Sequence, residues 1–153
     1  MTDAFESIND VLDFAIGEEE KAYQLYQTLA EKAKTPAVKK ALQEFAAEEL
    51  GHKSRLEAAR KGELKLGRAK PNANRLMIED YLVDIELQPD MSYVDTLVYA
   101  IKKEKAAYKL YFDLANQADT QEVYDLFMAL AQEEANHKLR FEIEYDDNVM
   151  LEN

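Results

Sequence analysis

Six side chains in this sequence have the types and spacing to bind metal. The chain contains only two histidines, His52 and His137, and each follows a glutamate by three positions: Glu49-Leu-Gly-His52 and Glu134-Ala-Asn-His137. Thirty residues before each of those glutamates stands another, Glu19 and Glu104. On a helix, residues three apart share a face, so each Glu-x-x-His offers a carboxylate beside an imidazole. Four carboxylates with two imidazoles form an oxygen-rich ligand set suited to two ions of iron or manganese. Structural zinc more often takes Cys and His. The sequence has no cysteine, which excludes disulfides, thiolate zinc sites and iron–sulfur clusters.

Taken singly, either histidine would be read as a surface or core residue, and each glutamate as an exposed helical carboxylate. An internal repeat with an offset of 85 residues changes that reading. Ser7 and Asp10 match Ser92 and Asp95; Glu19, Ala22, Tyr23, Leu25 and Tyr26 match Glu104, Ala107, Tyr108, Leu110 and Tyr111. Glu48, Glu49, His52, Lys53 and Arg55 match Glu133, Glu134, His137, Lys138 and Arg140. The two halves, about 7–60 and 92–145, keep this register without a gap. Glu18 and Glu20 face Lys103 and Lys105 in the comparison, so neither is needed as a carboxylate, whereas Glu19 persists as Glu104.

The elements that must position these residues are four amphipathic helices. They are expected over residues 8–33, 36–60, 92–118 and 120–145, with start signals at Ser7, Thr35-Pro36, Ser92 and Thr120. Ala, Leu, Glu, Lys and Gln dominate, and there are only four glycines and three prolines, a mix that favours helix. Short joints at 34–35 and 119–120 imply two antiparallel hairpins. Residues 61–91 are too long for a turn and suit a single crossover, with a short helix expected over 74–83. The fold class is all-α, a four-helix bundle in one domain spanning 1–153.

Helical phase puts the six residues inside. Glu19 falls between Ala15 and Ala22, and Glu104 between Ala100 and Ala107; Glu49 and His52 interrupt the seam Leu42, Phe45, Leu56, as Glu134 and His137 interrupt Phe127, Leu130, Phe141. Glutamates thus stand where leucines belong. Burying four ionised, mutually repelling carboxylates would cost on the order of 15 kcal/mol. A whole domain is stable by only about 5–15 kcal/mol. Protons or cations must therefore compensate, and two divalent ions would balance four glutamates.

At this point the chain resembles the rubrerythrin branch of the ferritin-like superfamily over essentially its whole length. The resemblance implies that Glu49 and Glu134 bridge two iron ions, with manganese or zinc as alternative occupants. Glu19 with His52 would complete one site and Glu104 with His137 the other. It implies redox chemistry with peroxide or dioxygen, and association as a homodimer, in which the long crossover would permit helix exchange. The family carries a rubredoxin domain with four cysteines. None is present here, so a separate electron-donor protein is expected. The family also has a further glutamate one turn after the third-helix ligand, where this chain has Ala107.

Other positions carry lesser expectations. Tyr26 and Tyr111, two turns beyond Glu19 and Glu104, pack the core or lend hydroxyls that orient ligand carboxylates. Glu48 and Glu133 are read as solvated groups or as partners for the histidine four residues on. Lys53, Arg55, Lys138 and Arg140 are read as their solvated counterions.

The net charge is −12 and the sequence pI about 4.6, which disfavours nucleic acid and anionic membranes as partners. No apolar run approaches a membrane span and no basic-then-apolar leader opens the sequence, so a cytoplasmic protein is expected. Three functions fit: a di-iron peroxidase or oxidase, a ferroxidase for which iron is the substrate, and a non-catalytic bundle that retains its ligands.

Overall fold

The structure, a computed structural model, describes residues 7–62 and 76–152, without side chains for the last three of these. Its four long helices are α1 (Ile8–Lys32), α2 (Pro36–Arg60), α3 (Tyr93–Asn116) and α4 (Gln121–Glu152). Each begins where its capping residue predicts. Ser7 and Ser92 accept from the amides of Asp10 and Asp95 at 3.1 and 3.0 Å, and Thr35 and Thr120 accept from Val38 and Val123, both at 3.2 Å. These bonds satisfy amides that the first helical turn leaves without partners. The α2 helix stops at Gly62, whose φ of +84° places it in the left-handed region that glycine tolerates.

Two boundaries differ from expectation. The α4 helix continues past Tyr145 through the acidic run, because Glu144 is held there. Tyr93 donates to it at 3.0 Å across from α3, and the Asn148 amide donates to its carbonyl and carboxylate. In the crossover, the expected helix over 74–83 begins outside the described residues. Its described part is a single 3-10 turn, Ile78–Tyr81, packed on α3.

The pairs α1/α2 and α3/α4 form the two hairpins, and α1 packs on α3 to join them. Side chains of α2 and α4 also meet, as where Phe45 stacks on the edge of Phe141 at 5.7 Å. The buried apolar residues form two clusters. One contains Leu12, Leu56, Leu110, Tyr111, Leu114 and Phe127; the other contains Leu97, Phe141, Leu25, Tyr26, Leu29 and Leu42. Taken in that order, each residue of the first cluster matches one of the second through the 85-residue repeat. The fold is therefore an approximate twofold arrangement of two apolar plugs, and the metal-type residues lie between them.

Candidate metal centre

All six predicted residues converge in this middle layer. Glu19, Glu49, His52, Glu104, Glu134 and His137 are each at most 2% exposed. They fall into two overlapping groups, Glu19, Glu49, His52, Glu134 and Glu49, Glu104, Glu134, His137. Within each group one ligand atom from every residue lies within 4.8 Å of the others. The repeat exchanges the two groups, and Glu49 and Glu134 belong to both. That is the geometry expected of two ions sharing a pair of bridging carboxylates.

Both imidazoles aim Nδ1 inward. His52 Nδ1 is 3.0 Å from Glu134, 3.6 Å from Glu19 and 3.7 Å from Glu49. His137 Nδ1 is 2.8 Å from Glu49, 3.7 Å from Glu134 and 3.9 Å from Glu104. The other ring nitrogen, Nε2, faces outward to a carboxylate on the opposite hairpin. His137 Nε2 bonds Glu48, and His52 Nε2 lies 3.6 Å from Glu133, which Arg55 holds at 2.7 Å. Glu48 therefore does bond a histidine, and Glu133 lies beside one, but across the α2/α4 interface and not four residues along their own helix. An imidazole donating Nε2–H to a carboxylate keeps its Nδ1 lone pair for a metal.

The electrostatics show what the cluster needs. Burial, then the charges of Glu134 and Glu19, push Glu49 and Glu104 well above the usual carboxylate range. Burial works against a charged His52, yet Glu134 and Glu19 outweigh it and raise its pKa to about 10. Burial also opposes an ionised Glu19, but the adjacent Glu49 and His52 and the hydrogen bond from Tyr111 lower its pKa. Without metal, protons compensate the core. Several buried atoms still lack hydrogen-bond partners: Glu19 Oε2, both oxygens of Glu49, Glu104 Oε2, Glu134 Oε1 and the Nδ1 atoms of both histidines. Unpartnered buried polar atoms are costly. His52 Nε2 is also without a partner, but the glutamates and the two Nδ1 atoms belong to the two ligand groups, where a hard or borderline divalent ion would satisfy them. The residues fit a metal pair.

The two tyrosines behave differently. Tyr111 donates to Glu19 Oε1 at 2.5 Å, from α3 to α1, as the orienting role requires. Tyr26 is fully buried against Phe141 and His137, and its hydroxyl has no partner, so it does not hydrogen-bond a ligand carboxylate. Changing Tyr111 to phenylalanine keeps the ring and removes only this bond. Metal affinity in the Glu19 group is expected to fall about tenfold, the lower end for losing a residue that orients a ligand. A manganese titration should then resolve into two steps. A single unchanged step would count against an orienting role.

Sequence reasoning missed two features at the rim. Glu18 and Lys103, set aside as unneeded, form an ion pair with each other at 3.1 Å. They are repeat counterparts, so the substitution replaces what would be two like charges with an attractive pair across the twofold. Tyr81, from the crossover, is buried beside Tyr111 and donates to Asp113 at 2.7 Å. It has no repeat counterpart, and only its place in the largely apolar run of residues 76–83 could have drawn notice.

A four-helix bundle of two hairpins with a central Glu/His cluster defines a ferritin-like fold, and comparisons with known proteins agree. The rubrerythrin family profile matches residues 10–80 and 95–150. The chain belongs to the rubrerythrin family. A hypothetical protein from Pyrococcus furiosus shares 25% identity at a TM-score of 0.71, over 92% of this chain and 89% of that one. A Thermotoga maritima protein, described as ferritin-like diiron-carboxylate, shares the fold with a TM-score of 0.76 at 20% identity, over 95% and 99% of the two chains. No curated protein matches significantly. Among the described residues, no helix is long and apolar enough to cross a membrane.

Proposed function

We propose that this chain is a di-iron redox enzyme that oxidises a bound ferrous pair with hydrogen peroxide or dioxygen. The observation that carries this reading is the pair of buried ligand groups sharing Glu49 and Glu134. When bound, two ferrous ions would supply one electron each, enough with two protons to reduce hydrogen peroxide to two waters, or dioxygen to hydrogen peroxide.

The chain's own residues prepare for that chemistry. The four glutamates would balance the charge of the two ferrous ions. Tyr111 keeps a proton at Glu19 Oε1 and fixes that carboxylate. Glu48 holds the His137 imidazole from outside, and Glu133 faces that of His52. The apolar plugs above and below exclude bulk water, which strengthens every interaction in the layer. A separate electron donor would return the pair to the ferrous state.

Stopped-flow oxidation of ferrous-loaded protein tests the proposal. Peroxide or dioxygen should oxidise the bound iron faster than free ferrous ion, and the reaction should stop near two equivalents per chain. Oxidation no faster than that of free iron rejects the enzyme. Continued turnover through many equivalents would instead make iron the substrate, the ferroxidase reading.

A further inference from the structure

A narrow cavity of about 20 Å³ lies between α1 and α3 and reaches the carboxylates of Glu19, Glu49, Glu104 and Glu134. Neither histidine lines it. It is lined by buried Ala22 and half-buried Ala107, repeat counterparts whose small side chains leave the space open. A larger residue at Ala107 would fill it.

Among the described residues, three charged or aromatic groups narrow the cavity at its partly open side. The Glu18–Lys103 pair crosses it, with both side chains less than 15% exposed. Tyr81 covers it from the crossover, only 2% exposed, anchored by Asp113 and lying under Lys109 Nζ at 5.5 Å. Room of this size holds about one to two water-sized atoms. A much larger molecule entering past these groups would have to displace a buried, hydrogen-bonded tyrosine or break a largely buried ion pair.

We propose that Tyr81 and the Glu18–Lys103 pair form a size filter. Oxidants of two heavy atoms, hydrogen peroxide and dioxygen, reach the carboxylates, whereas organic hydroperoxides with bulky substituents are excluded. The inference rests on the redox reading above and adds which members of the oxidant class are accepted.

The test uses the full chain loaded with ferrous iron and has two independent readouts. Oxidation rates are compared for hydrogen peroxide and cumene hydroperoxide, each relative to free ferrous ion. Nitric oxide, a probe of two heavy atoms, is titrated and its binding followed by visible absorption.

The normalised preference for hydrogen peroxide is expected to reach about 100-fold, and Tyr81→Ala should reduce it about tenfold, the scale of steric misfit in a packed site. Ala107→Leu should weaken nitric oxide binding about tenfold with iron content unchanged, and the milder Ala107→Val should fall between. Equal normalised rates with both peroxides in the wild type overturn the filter. So does nitric oxide binding that is the same with Ala, Val and Leu at this position. If neither peroxide oxidises the iron but nitric oxide binding still declines from Ala to Val to Leu, the redox reading falls and the size limit stands. A chain that binds no iron overturns both.

Discussion

Replacing Glu49 by leucine should empty both metal sites and at the same time make the metal-free protein more stable. Glu49 belongs to both ligand groups and both of its oxygens lack hydrogen-bond partners. Its loss removes a ligand and a negative charge from each ion's surroundings. Removing a residue that only orients a ligand costs about 10–100-fold in affinity, and losing a shared ligand should exceed that for both ions. Metal content after loading and desalting should therefore fall from about two ions per chain to nearly none. Glu19→Leu touches one group only and should leave about one ion.

Stability moves the other way because the position is apolar in every respect except its residue. Glu49 lies in the seam with Leu42 and Leu56, fully buried, where burial and the charges of Glu134 and Glu19 disfavour ionisation. Replacing a whole buried ion pair by apolar groups is often neutral or stabilising by about 1–4 kcal/mol. Glu49, which burial and like charges already disfavour as an anion, falls nearer that case than the breaking of a mutually stabilised pair. For a chain of this size each kcal/mol is worth about 2–4 °C in Tm. Thermal unfolding of chelator-treated protein should show Glu49→Leu melting at or above the wild type. If it melts well below, the glutamate has a structural role in the metal-free fold and the carboxylate layer is not simply a metal site.

That contrast explains why so much of the centre was legible in the sequence. A glutamate at an inward helical position violates the pattern that builds a core, and places where local rules fail tend to be functional. The repeat separated Glu19, kept as Glu104, from Glu18, which became Lys103. The caps at Ser7, Thr35, Ser92 and Thr120 fixed where each helix begins, so helical phase could be counted from a known origin.

What escaped notice depends on how helices sit against one another. For Glu48 the sequence offers only solvent or the histidine on its own helix, because spacing shows only neighbours along one helix. The observed partner, His137, is 89 residues away and is brought near by the α2/α4 register. The Tyr111–Glu19 bond spans 92 residues, from α3 to α1, and the failure of Tyr26 to repeat it reflects departures from exact twofold symmetry that no residue count reveals. Tyr81 lies on the unrepeated crossover, where the two-row comparison has nothing to say.

Metal and protons compete for the same atoms, so stability should depend on pH in opposite senses with and without metal. In the metal-free fold, Glu49 and Glu104 hold their protons to higher pH than in the unfolded chain, whose carboxyl value is about 4.5. The stability they contribute is complete below that value and is lost as pH rises through their raised values. His52 acts in the same direction. Its contribution is full below about 6.5 and is lost as pH climbs towards about 10. Glu19 and Glu133, with lowered values, contribute above about 4.5 and lose their effect only in acid, so they do not oppose the trend at neutral pH. Metal-free protein should therefore melt at steadily lower temperature from about pH 5.5 to 8.5. Bound ions must displace those protons, so their affinity rises over the same range. At a free manganese concentration about 1,000 times Kd, binding adds about 4 kcal/mol. That corresponds to roughly 10 °C in Tm for a chain of this length. Calorimetry at three pH values, with manganese and with chelator, should show the metal-induced shift growing with pH. A metal-free Tm that rises over this interval, or a metal-induced shift that ignores pH, would mean that cations do not replace protons in the core.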